Sequence, residues 1–283
     1  MNNGQLRQFL ALVRREVLEH PSLFIGAPAI LGALLAIGSL WVLSMLPSEE
    51  IALGVEYLSI LFDGLSPLQM APMFMLLAVP FIIVLFVCGI VYLLNTLFQD
   101  RKDGSVLFWQ SMPVSNLSTV LAKVVTLGAV VPVFYIATLF VLYIFTTIQL
   151  TILGFNYGVE VAGLGYMLGA AVVSLLLVYL SALAGTLWLL PSIGWILLFS
   201  AFARRTPLLW AIGVFILFGF LEDFVFGSQF LANWVESRSD PSRYLITEFS
   251  SILSRFFNYE MLFGVLVGAI LIAGAVYMRR FID

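Results

Sequence analysis

Polar and apolar positions alternate at helical spacing only at the start of the chain. In QLRQFLALVRREVLEH (residues 5–20), Leu6, Phe9, Leu10, Val13, Val17 and Leu18 recur every three or four residues, with Arg7, Arg14, Arg15, Glu16 and Glu19 between them. That pattern predicts an amphipathic helix within residues 1–22, lying in a headgroup layer until His20-Pro21 turns the chain. Beyond it, polar residues become rare. Apolar runs cover Leu23–Leu46, Ala71–Phe98, Val124–Ile148, 161–203, Pro207–Phe226 and Tyr259–Met278. Each reaches the ~20 residues needed to cross about 30 Å of hydrocarbon. Residues 47–70, with Glu49, Glu50, Glu56 and Asp63, form a polar connection, and Pro72 and Pro80 can bend the second span.

The run 161–203 carries no charge and is long enough for two spans. A hairpin at Pro191–Gly194 would leave about a dozen residues before Arg204, only ~18 Å of helix, too short to cross. One long fourth helix, kinked or broken near Pro191-Ser192-Ile193-Gly194, is therefore expected. A long external segment, 227–258, precedes the sixth span. The fold class is an all-α polytopic membrane protein of six spans in a single domain, 1–283.

Composition strengthens this reading. The chain is 62% hydrophobic and 10% charged, with mean hydropathy +1.08, whereas soluble domains are roughly a quarter charged. Six spans place Arg7, Arg14, Arg15, Arg101, Lys102, Lys123, Arg204, Arg205, Arg279 and Arg280 on one side, ten of the thirteen lysines and arginines. By the positive-inside rule that side is cytoplasmic, and both termini lie there. No short apolar core with a cleavage site opens the sequence, so the first span is expected to direct insertion. The single cysteine, Cys88, lies in an apolar run and makes no internal disulfide.

The residues available for chemistry are few. One histidine, His20, excludes a multi-histidine zinc set, and no Gly-x-Ser-x-Gly turn meets it. Of two lysines, Lys102 and Lys123, neither follows a glycine, so the chain has no phosphate-cradling loop. The chain is not expected to be an enzyme or to bind a cofactor. Glu222 and Asp223, about 24 Å along the fifth span from its start, and Glu260 at the start of the sixth, are candidates for an external gate or proton path. The simpler reading is that they are solvated or cap a helix.

One stretch stands apart: NTLFQDRKDGSVLFWQSMPVSNLSTVLAK, residues 95–123. Gly104-Ser105 gives a turn and a cap, and Val106, Leu107, Phe108 and Trp109 open a short helix that ends at Pro113. A buried Phe or Trp removes about 150–250 Å² from water, several kcal/mol at ~25 cal/mol/Å². Such a face seeks headgroups, the protein itself or a partner's groove.

This loop resembles the first cytoplasmic loop of permease subunits in the type-2 ABC transporter superfamily. The match comprises Asp100-Arg101, Gly104-Ser105, Met112-Pro113-Val114-Ser115 and Lys123, in order and spacing. A second stretch, WLLPSIGWILLFSAFARRTPLLWA (188–211), is similar to the corresponding region of one bacterial branch of those permeases. The resemblance implies a permease subunit of an ATP-driven exporter in the bacterial inner membrane. It would pair with a second copy of itself and with separate cytoplasmic ABC ATPase subunits that hold ATP and magnesium. The loop 99–123 would carry the coupling helix, Ser105–Met112, with Leu107, Phe108 and Trp109 as its docking face. Asp100, Arg101 and Lys102 would form a polar rim and Arg204-Arg205 a second contact. Gly104, Pro113, Ser115 and Lys123 would complete the coupling set, and 227–258 would cap the outer exit above Glu222 and Asp223. Membrane lipid is the remaining expected partner, and nucleic acid is not one. Two other readings stand beside this: a secondary carrier or proton channel using the acids, and a non-transporting membrane anchor subunit.

Overall fold

Eleven helices and no strand occur among the described residues, 3–104 and 114–280 of a computed structural model. The helices are α1 (Asn3–Glu19), α2 (Ser22–Met45), α3 (Ser48–Phe62), α4 (Pro67–Lys102), α5 (Asn116–Tyr157), α6 (Leu164–Trp188), α7 (Leu190–Phe202), α8 (Pro207–Phe226), α9 (Phe230–Ser239), α10 (Ile252–Phe256) and α11 (Tyr259–Met278). Six of them, α2, α4, α5, α6, α8 and α11, are long and apolar enough to cross a membrane. The chain is an all-α polytopic membrane protein.

Proline accounts for the irregular turns. It has no N–H to give the carbonyl four residues back, and its ring crowds that carbonyl. The π-helical turns Ser22–Gly26 and Thr126–Val130 each end two residues before a proline, Pro28 and Pro132. The 3-10 turn Leu76–Ala78 in α4 falls just ahead of Pro80. Pro191 likewise splits the long fourth helix, though the break comes at Leu189 (φ −87°, ψ 7°), slightly before the expected Pro191–Gly194.

Two expectations are corrected. The connection 47–70 is not merely polar. Pro47 precedes α3, Glu49 and Glu50 lie in its first turn where the helix dipole favours acids, and Val55 and Phe62 are buried. A Ser66–Gln69 capping box with Pro67 then starts α4. The second and third spans are also longer than expected: α4 has 36 residues and α5 has 42, about 54 and 63 Å of helix. Tyr143 lies roughly 30 Å along α5 from Lys123. There its hydroxyl donates to the Phe74 carbonyl (2.7 Å) and pairs with Ser174 (2.9 Å), tying α4, α5 and α6 together. Farther along, Ser39 of α2 donates to Gln149. The bundle thus continues past one bilayer thickness at the end away from Lys123.

The tightest crossing is α7 on α11. A Cβ at Gly194 would lie 2.8 Å from the Leu271 Cβ and 2.9 Å from the Gly268 carbonyl, and one at Gly268 would strike Leu190. Small residues let the two backbones approach closely, as membrane helix pairs commonly do.

Candidate functional site

The most polar interior lies where α1, α4, α5 and α11 converge. Glu16, on the buried side of α1, is 2% exposed, and Lys123 of α5 is 1% exposed. The Lys123 Nζ donates to Glu16 Oε1 and to Thr96 Oγ1, both at 2.8 Å, and lies 3.4 Å from Asp100 Oδ2. Tyr92 donates its hydroxyl to Glu16 Oε2 at 2.8 Å. Asp100 also faces Arg15 (3.8 Å) and Arg279 (3.7 Å), while Arg15 pairs with Glu19 at 2.6 Å. Three acids and three bases therefore balance in one knot.

An ammonium has three donors, and all of those on Lys123 have an oxygen within reach. Burial pushes the Glu16 carboxyl up. The Lys123 charge and hydrogen bond, the Tyr92 hydroxyl and the Arg15 charge outweigh that and hold it below the ordinary carboxylate value. Next to it, His20 stands edge-on to Tyr92 (5.1 Å) and Phe24 (5.9 Å). Burial holds this imidazole below its usual pKa, against the opposing pull of Glu16. Glu16, Glu19 and His20 also bring three potential metal-ligand atoms within 4.8 Å of one another. The ion pairs to Lys123 and Arg15 already engage both carboxylates.

The structure distributes the expected coupling residues unevenly. Ser105, Leu107, Phe108, Trp109, Met112 and Pro113 lie outside the described residues. Asp100, expected in the polar rim with Arg101 and Lys102, is instead an interior member of the knot, as is Lys123. Arg101 reaches across to α7, donating to the carbonyls of Phe202 (3.3 Å) and Ala203 (2.7 Å). Ser200 reinforces the clasp: its Oγ donates to the Leu94 carbonyl and accepts from the Phe98 amide. Arg204 lies near enough to Arg101 for the two charges to repel. Lys102, Gly104, Arg204 and Arg205 are exposed, and Ser115 caps α5 by accepting from the Ser118 amide. The two stretches that looked separate in sequence, around residues 101 and 204, therefore meet. The corner between α7 and α8 is strained, because Thr206 adopts a left-handed conformation (φ 47°) that β-branched residues avoid.

The candidate gate acids serve separate structures. Glu222 caps the start of α9, accepting from Ser228, the Phe230 amide and the Leu231 amide (2.9 Å). Asp223 is exposed, and the Glu260 carboxylate accepts from Arg243 at 3.3 Å.

Segment 227–258 holds a residue that the sequence reading passed over. Arg238 is 3% exposed. Its guanidinium donates to the carbonyls of Trp188 (3.0 Å) and Glu260 and lies 4.1 Å over the Trp188 ring. The Trp188 indole donates back to the Arg238 carbonyl (3.1 Å). Gly264 makes room, since any Cβ there would meet the guanidinium. A cation at the end of α6 also complements its helix dipole. The one sequence signal was Trp234 four residues before Arg238. Ile246, buried and bonded through its amide to Ser181 Oγ (2.9 Å), fixes the rest of the segment on α6.

No family model, curated protein or solved structure matches this chain in the comparisons made.

Proposed function

We propose that this chain is the permease subunit of an ATP-driven exporter and that it couples to a separate ATPase through the loop between α4 and α5. One observation carries the reading. The two helices that bear this loop are locked by the Glu16–Lys123–Asp100–Arg279 knot, and Arg101 clasps the loop's base to the α7–α8 corner. A force applied to the loop therefore acts on α1, α4, α5, α7 and α11 together. That is what a motor outside the membrane needs in order to move several spans at once.

On this reading the knot lies at the cytoplasmic surface, in keeping with the clustering of Arg14, Arg15, Arg101, Lys102, Arg204, Arg205, Arg279 and Arg280 near that end. Phe108 and Trp109 fill a groove in the ATPase. Lys102, Arg204 and Arg205 supply the exposed basic rim expected earlier of Asp100 to Lys102. A second copy of the chain completes the pathway. The carrier reading gains little, because Glu222 and Glu260 are engaged with different loops.

Co-purification tests this. The tagged chain, co-expressed with an ABC ATPase subunit from the same genome, should bring that ATPase down, and Phe108→Ala with Trp109→Ala should reduce recovery at least tenfold with membrane insertion unchanged. Equal recovery from the double variant would defeat the docking assignment.

A further inference from the structure

A cavity of about 410 Å³ opens between α1 and α4 beside the knot, within the ~300–1,000 Å³ range of small-ligand sites. Its polarity is graded. Val91, Asn95 and Gln99 of α4 and Asp103 just past its end line it at four-residue spacing, so this side passes from apolar to acidic over ~18 Å. Opposite, Leu23 marks the apolar end, and Glu19, His20 and Arg15 the polar one. Two basic side chains, Arg15 and Lys123, and three acidic ones, Glu19, Asp100 and Asp103, contribute to the lining. A uniformly anionic ligand is therefore a poor match.

We propose that this groove is a headgroup site for a phospholipid bearing both a phosphate and a primary ammonium. The phosphate is held from the α1 side by Arg15 and His20, and the ammonium by the Asp103 carboxylate and the second oxygen of Glu19, whose Oε1 pairs with Arg15. The acyl chains leave past Leu23 and the exposed Val91. His20 meets the phosphate as an N–H donor from its imidazole. The carboxylates require N–H donors, which a trimethylated ammonium lacks. The site rests on the membrane character of the fold and does not depend on coupling to an ATPase.

The test is native mass spectrometry of the full chain in detergent, with phosphatidylethanolamine, phosphatidylcholine or phosphatidylglycerol added at equal concentration. One bound phosphatidylethanolamine should be retained about tenfold better than either other lipid, the effect of one hydrogen bond to a charged group. Asp103→Asn, an exposed change outside the knot, should erase most of that preference. Asn95→Trp should fill the groove and remove the bound lipid, with the thermal unfolding midpoint unchanged. Equal retention of the three lipids, or retention that survives Asn95→Trp, would overturn the proposal. So would displacement by soluble phosphoethanolamine at concentrations matching the lipid, because the acyl chains would then contribute nothing.

Discussion

Three basic side chains are buried among the described residues, Lys123, Arg238 and Arg279, and the first two are neutralised in different ways. Lys123 is surrounded by two carboxylates and a hydroxyl from α1 and α4, all of them on side chains able to change rotamer. Arg238 is held by two backbone carbonyls and a tryptophan face, and a carbonyl cannot move without its helix. The Lys123 knot can exchange partners while staying buried and balanced. The Arg238 centre can only hold or break. On the proposed function this contrast suits the first to transmitting movement, while the second fixes segment 227–258 on α6 and α11.

The largest expected effect comes from unbalancing the knot. Lys123→Met leaves Glu16 and Asp100 facing each other in the interior and should cost about 3–5 kcal/mol of stability. Adding Glu16→Met should restore much of that, since removing both partners of a buried pair is commonly near neutral. Thermal unfolding in detergent reads both, and additive losses would show that the two residues do not act as a pair. Next comes Arg238→Lys, which keeps the charge but loses the fork and the ring stacking, at about 2–3 kcal/mol. Limited proteolysis within 227–258 should accelerate in that variant while cleavage elsewhere stays the same.

The pH response sharpens the comparison further. Glu16 and His20 both have folded pKa values below their ordinary ones, so each adds stability above its unfolded pKa. That contribution fades as pH falls, first below about 6.5 through His20 and then below about 4.3 through Glu16. The unfolding midpoint should decline across this window, and His20→Gln should remove the upper part of the decline. The smallest effect belongs to the corner beside Arg204: Thr206→Gly should relieve left-handed strain and raise stability by at most about 1 kcal/mol.

Much of this architecture is legible in the sequence, for reasons that also mark where legibility ends. α8 and α11 match their expected bounds to the residue, because charges and prolines bracket clean apolar runs of bilayer length. The break in the fourth helix follows from Pro191 alone. α3 was hidden because Glu49, Glu50, Glu56 and Asp63 made a half-buried helix look like a connection. α4 and α5 were read as shorter because a bilayer-length criterion cannot anticipate helices that continue beyond it.

The knot was hidden for a different reason. Glu16, Asp100 and Lys123 each look like ordinary polar flanks of apolar runs, and nothing in their spacing says that residues 107 positions apart will touch. Lys102 and Arg204 kept their expected exposure, whereas Asp100 did not, because a carboxylate two residues before a helix end can face either solvent or a neighbouring cation.

On the proposed function, a nucleotide-driven partner grips the loop between α4 and α5. A photo-crosslinking amino acid at position 108, in membranes co-expressing the ATPase, tests it most directly. The account predicts a crosslinked species with the mass of this chain plus the ATPase, lost when position 109 is also changed to alanine. Crosslinks that reach only phospholipid, whether or not the ATPase is present, would contradict it.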